Sequence, residues 1–254
     1  MNEHPTVKIK RADVLSGAEK KSLLRLVARC REAEPFTMTL PSGADDAVFL
    51  LLYSGRRLAA ALVLCPSGDG TSEALAFTHP AYRRRGFFRQ LVREARGTAG
   101  ARLVFTADQF CGNAPAAAEA LGLKPCAEDL LMERTLRGSG IPGDRQGAFR
   151  IHAFPSADPE DTSVLYEARS GGTLLLSLLV LPRADRAAYV FGVEVPEELR
   201  GAGTGSRVLP AILRRLKRDG FLRVLVHVSG DNVPAVRLYR RCGFTESLRL
   251  ISYS

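Results

Sequence analysis

The sequence predicts an α/β (α+β) chain made of two tandem units of one design, and three observations carry that expectation. An apolar run from Tyr189 to Val195 leads into Arg200-Gly-Ala-Gly203-Thr-Gly205-Ser206, then into a helical pattern with Val208, Leu209, Ile212, Leu213 and Leu216 on one face. A second short, β-rich run, Phe221 to Val228, is followed by a punctuated helix: Asp231 or Asn232 as N-cap, Pro234 in the first turn, Gly243 as the stop. A weaker copy of the same order lies upstream, with a strand at Glu73 to Thr78, a turn ending at Gly86, and a helix presenting Phe87, Phe88, Leu91, Val92 and Ala95.

A strand that enters a glycine-rich turn and then a helix is suited to phosphate. The turn lets successive N–H groups point inward, and the helix N-terminus adds partial positive charge. The Walker pattern is excluded because no lysine stands in the loop, and the dinucleotide fingerprint fails because its third glycine is misplaced. Arg200-x-x-Gly203-x-Gly205 resembles instead the pyrophosphate loop of the GNAT superfamily, the acyl-CoA-dependent N-acetyltransferases. Asn232-x-x-Ala235-x-x-Leu238-Tyr239-x-x-x-Gly243-Phe244 is similar to that family's second signature, with every position filled. The resemblance implies two GNAT-like units, each a mixed, mostly antiparallel twisted sheet flanked by helices. It also implies acetyl-CoA as acyl donor and a primary amine of unknown identity as acceptor.

Residue roles follow from the same resemblance. The main chain of Val193, Glu194 and Val195 is expected to hold the pantetheine arm, with the Val195 N–H polarising the thioester carbonyl. Arg200, Gly201, Ala202, Gly203, Thr204, Gly205 and Ser206 are expected to hold the pyrophosphate. Tyr239 stands where the family places its general acid; its alternative is a packing residue. Asn232 is a coenzyme contact or simply a helix cap. For the base, His227 carries an imidazole of the kind that titrates near neutrality, or makes one hydrogen bond on a sheet face. Glu194 is a second candidate, although strand alternation sets it opposite Val193 and Val195. Cys242 reads as a small buried residue, since no basic partner is placed to activate it.

In the first half, Arg83-x-x-Gly86 matches the loop, but Phe88 stands where a second small residue belongs. A ring there crowds the approach to pyrophosphate unless it turns into the core. Ala101 to Ala107 reads as the next strand, Asn113 to Gly122 as a short helix without the tyrosine, and Glu128 to Arg137 as a closing strand. The expected domains are 1–138, with a degenerate loop and no Tyr acid, a linker at 139–148 rich in Gly and Pro, and a catalytic unit at 149–254. Ser22 to Glu34 supplies an opening helix to the first unit; the second has at best a short one around Asp158 to Tyr166. A non-catalytic acyl-CoA-binding sensor or scaffold module is the alternative to an enzyme.

The 254 residues are 46% hydrophobic and 25% charged, the balance of an ordinary globular protein, with no apolar stretch near the ~20 residues of a membrane span. Met1 to Thr6 lacks a cationic start and an apolar core, so no signal peptide is expected. Five scattered cysteines without Cys-x-x-Cys spacing read as reduced thiols in a cytoplasm, with no disulfide frame and no metal site. The net charge of +9 is spread through the chain and forms no tract, which disfavours nucleic acid as a partner and suits a polyanionic coenzyme. Either a monomer or a homodimer is compatible with a tandem chain.

Overall fold

A computed structural model describes residues 6–40, 46–67, 70–99, 102–138, 140–141 and 149–254. The chain forms two units, Met1–Glu128 together with Leu250–Ser254, and Asp129–Arg249. Residues 142–148 of the expected linker lie outside the described segments.

The first unit contains β1 (Val7–Ala12), α1 (Gly17–Ala33), β2 (Val48–Ser54), β3 (Arg57–Pro66), β4 (Thr71–Thr78), α2 (Phe87–Ala99), β5 (Arg102–Asp108) and α3 (Ala114–Glu119). Two further strands, β6 (Pro125–Thr135) and β12 (Thr245–Tyr253), are each divided between the units. β1 to β4 form antiparallel neighbours in sequence order, β4 pairs parallel with β5, and Leu250 to Tyr253 of β12 closes the row against β5. Helix α1 starts at Ser16, whose hydroxyl and the Glu19 side chain form a reciprocal capping box. Its stripe of Leu23, Leu26, Val27 and Cys30 packs on Leu51, Ala61, Val63 and Phe77. Helix α2 buries Phe87, Leu91, Val92 and Ala95 against the alternate residues Leu50, Leu52, Ala60 and Leu62. Both faces of β2 and β3 are therefore covered, which is why those strands read as continuous apolar runs instead of alternating ones.

The second unit contains β7 (Arg150–Pro155), β8 (Val164–Ser170), β9 (Thr173–Pro182), β10 (Ala187–Glu194), α4 (Thr204–Arg218), β11 (Arg223–Ser229) and α5 (Val233–Arg241). Its strand order is β6-β11-β10-β9-β8-β7, antiparallel except for β10 with β11. One core gathers around α4, whose Val208, Leu209, Ile212, Leu213 and Leu216 meet Leu176, Leu178, Val180, Val190, Val224 and Val226. Leu209, Ile212 and Leu216 are at most 2% exposed, and each such side chain contributes about 2 kcal/mol.

The compact units divide inside β6, where Asp129 to Thr135 pair with β11 in the second unit. One expectation changes: no helix forms around Asp158 to Tyr166. Asp158 and Asp161 accept from the N–H groups of Glu160 and Ser163, turning the chain locally, and β8 begins at Val164.

Candidate active site

The second unit's sheet opens where the loop attaches. The parallel ladder runs from Ala187 opposite Arg223 to Val190 opposite Val226 and stops, although β10 continues to Glu194 and β11 to Ser229. On the other edge of β10, the register with β9 shifts between Phe191 and Glu194 by one extra residue, with Gly192 at φ 58°. That bulge bends β10 locally, and pairing with β9 resumes at Glu194 opposite Ser177. In the first unit, β4 and β5 also part after Ala74 and Phe105, but β3 and β4 keep a regular register to Thr78.

Beyond Glu194 the chain makes a 3₁₀ turn at Glu197–Leu199 and enters the loop. Gly201 and Gly203 hold φ of 74° and 76°, the left-handed region that favours glycine. Gly203 is the N-cap of α4 and has no side chain to cap with, so the first-turn N–H groups of Thr204, Gly205 and Ser206 face outward for an anion. A Cβ on Gly205 would lie 3.1 Å from Leu238 Cδ2 and 3.7 Å from Val195 Cγ2, so α4 and α5 meet closely at that residue. Arg200 does not point into the loop: its Nε donates to the Val195 carbonyl at 2.9 Å, tying the loop to the strand exit.

The first unit repeats this plan with telling changes. Arg83 Nε donates to the Thr78 carbonyl at 3.4 Å, again five residues back, and Gly86 has φ 77°. Arg84 adopts φ 63° where Gly201 stands in the second loop, a strained position for a residue with a Cβ. Phe88, the counterpart of Gly205, sits edge-on to Phe105 at 5.5 Å and packs on the α2 core. Its ring is turned into the core, so it does not bar the loop. A cavity of about 580 Å³ opens beside it, lined by the ends of β4 and β5 and by α3, and floored by Glu34 and Asp108. Arg83 pairs with Glu34 at 3.3 Å there, and Thr37 Oγ1 donates to Asp108 at 2.8 Å. Helix α3 is six residues long and offers Ala118 or Ala120 where α5 offers a tyrosine.

The expected catalytic residues are carried by α5, β11 and β10. Tyr239 is buried, its ring 5.5 Å from Phe244, and burial pushes its hydroxyl up to about 12, which keeps the proton on at neutral pH. Asn232 accepts from the Ala235 N–H at 3.2 Å and so acts as the helix cap of α5. Cys242 is 1% exposed and its thiol is raised to about 11 by burial, an unreactive state. Val193 and Val195 pack towards the α4 core, and Glu194 is exposed on the opposite face, as strand alternation demands. His227 is exposed too, for alternation turns it away from Val226 and Val228. Its Nδ1 lies 3.2 Å from the Tyr189 hydroxyl, with the rings edge-on at 5.9 Å. Glu194 and His227 therefore emerge on one side of the sheet.

Tyr189 escaped the sequence reading, since its contact with His227 depends on the parallel register of β10 and β11. The bulge left a faint signal, Gly192 inside a strand.

Residues 131–244 match the model of the Acetyltransferase (GNAT) family. A mycothiol acetyltransferase of Thermobispora bispora is 31% identical over 250 residues, covering 81% of each chain. The chain belongs to the GNAT superfamily. A mycothiol acetyltransferase of Actinosynnema mirum is 26% identical, covering 95% of this chain and 97% of the relative. Among solved structures, a GCN5-related N-acetyltransferase from Sphaerobacter thermophilus superposes with TM-score 0.69 at 18% identity, over 96% of this chain and 94% of that one. A tandem GNAT protein from the clavulanic acid biosynthesis pathway does so with TM-score 0.66 at 19% identity, over 98% of both. The GNAT protein described here is accordingly an acyl-CoA-dependent N-acetyltransferase with the mixed, mostly antiparallel sheet of that fold.

Proposed function

We propose that the C-terminal unit carries the active site and transfers an acetyl group from acetyl-CoA to a primary amine. The observation that carries this reading is the parted end of β10 and β11, with its bulge, leading into an intact glycine loop. The loop from Gly201 to Ser206 binds the pyrophosphate, and the backbone of Val193 to Val195 aligns the pantetheine arm. The neutral amine attacks the thioester carbonyl carbon, polarised by the Val195 N–H. The carbon–sulfur bond breaks, and the thiolate takes a proton from Tyr239. The amine's proton leaves to His227 or Glu194 through water. Tyr189 holds Nδ1 of His227 and thereby presents Nε2 to the acceptor side. We read 1–138 and 149–254 as the two copies of the duplicated unit, joined at 139–148.

A second reading applies to the first unit. Its cavity, with Phe88 turned aside, supports an acyl-CoA-binding sensor or scaffold role without turnover, since α3 offers no acid. The even spread of charge supports small-molecule partners over nucleic acid. The five unpaired cysteines support a cytoplasmic setting, as does the fact that no helix among the described residues is long and apolar enough to cross a membrane. Monomer and homodimer both remain compatible with this mechanism, which needs one chain.

Acetyl-CoA titration by calorimetry on wild type, Gly203→Glu and Gly86→Glu tests the assignment. One equivalent lost only in Gly203→Glu supports the C-terminal site. Loss only in Gly86→Glu transfers the site to the first unit, and no binding in the wild type rejects it. Acceptor screening then starts with the amine used by the mycothiol acetyltransferases, which these relatives suggest.

A further inference from the structure

A buried guanidinium in the second unit has too few partners. Arg134 on β6 is 8% exposed and points to the helix side of the sheet, where its Nη1 lies against Gly243 just past α5. Its Nη2 donates to the Gly140 carbonyl at 2.8 Å, but its Nε is buried without any partner. No carboxylate among the described residues pairs with it. Neighbouring Glu133 is held at 3.3 Å by Arg223, and strand alternation places it on the opposite face. Desolvation holds the Arg134 pKa below its ordinary value. A cavity of about 250 Å³ adjoins the group, lined also by Glu133, Arg137, Gly138, Ile141 and Thr245. Lys217 Nζ donates to the Gly138 carbonyl at its rim.

Buried charge is normally paired, and a buried donor normally bonded, in proteins. Here an unpaired cation and an orphaned N–H adjoin a space large enough for a small ion, with further cations around it. We propose that this cavity is a binding site for a small oxyanion, a phosphate or a carboxylate, seated on Arg134 beside the end of α5. The site is separate from the coenzyme loop at Gly201 to Ser206, and it takes the guanidinium's geometry for planar or tetrahedral oxyanions as its selectivity.

The test is thermal unfolding of the full chain at constant ionic strength, with inorganic phosphate replacing chloride in one arm and succinate in another. A Ser206→Glu background removes anion binding at the coenzyme loop. The expected result is a Tm rise of about 3 °C at 20 mM of whichever anion fits. That rise should vanish in Arg134→Gln. Thr245→Glu supplies a carboxylate to the cavity from exposed Thr245, and should raise Tm without added anion while erasing the response. If Arg134→Gln does not fold, Thr245→Glu decides alone. An equal response in Arg134→Gln, or no response to either anion, would overturn the proposal.

Discussion

Arg200 reaches back five residues to donate from Nε to the carbonyl oxygen of Val195 at 2.9 Å, fixing the glycine loop to the strand from which it springs. The same bond recurs in the first unit between Arg83 and Thr78. In both units this arginine ties the loop to the strand exit. Arg200→Ala should raise KM for acetyl-CoA about tenfold, the equivalent of one charge-assisted hydrogen bond, with kcat nearly unchanged. Steady-state kinetics across acetyl-CoA concentration separates this from a catalytic loss.

Gly205 is required for packing as well as for phosphate approach. Its Cβ position lies 3.1 Å from Leu238 Cδ2 and 3.3 Å from Cδ1. Gly205→Ala should be tolerated with a small shift of Leu238, whereas Gly205→Val should push α5 away and weaken acetyl-CoA binding by tenfold or more, about 1.4 kcal/mol. Calorimetry on both variants checks the gradation; equal affinity in Gly205→Val would show that α5 moves freely.

Tyr239 gives a pH signature. Its folded pKa, near 12, lies above the ordinary tyrosine value near 10, because burial disfavours the phenolate. The folded state therefore holds this proton more tightly than the unfolded chain. Its stabilisation is complete below pH 10 and is lost as pH rises through 12, roughly 3 kcal/mol in all. Cys242, raised to about 11, adds to the loss from pH 9 upward. Tyr239→Phe should flatten the stability curve between pH 10 and 12 and lower kcat by 10²- to 10⁴-fold at neutral pH. Denaturant midpoints across that range test the first claim, and turnover tests the second.

His227 and Tyr189 should act together. If the imidazole takes the amine's proton, Tyr189→Phe frees Nδ1 and should lower kcat with little change in KM for acetyl-CoA. His227→Gln should lower kcat further. Unchanged kcat in both variants would move the base role to Glu194.

Gly243 is held to glycine twice over. Its φ is 79°, and a Cβ would collide with Arg134 Nη1. Gly243→Ala should cost about 2 kcal/mol, part from the left-handed backbone and part from displacing the buried guanidinium. In a double-mutant cycle with Arg134→Met, the double variant should lose at least about 1 kcal/mol less than the sum of the two single losses.

The sequence alone determined the local devices of this protein. Glycines at 201, 203 and 205, the punctuation from Asn232 to Gly243, and the apolar stripes of α2 and α4 depend on φ preference, capping and 3.6-residue periodicity, all of which act within a few residues. The tertiary structure decided what depends on strands distant in sequence. Strand alternation shows that Glu194 faces away from Val193, but only the register of β10 with β11 and the bulge in β10 bring it to the same side as His227. The turn of Phe88 onto Phe105, the Tyr189–His227 contact and the division of the units inside β6 likewise rest on strand register. Register is set by the sum of cross-strand packing, and no short stretch of sequence contains that sum.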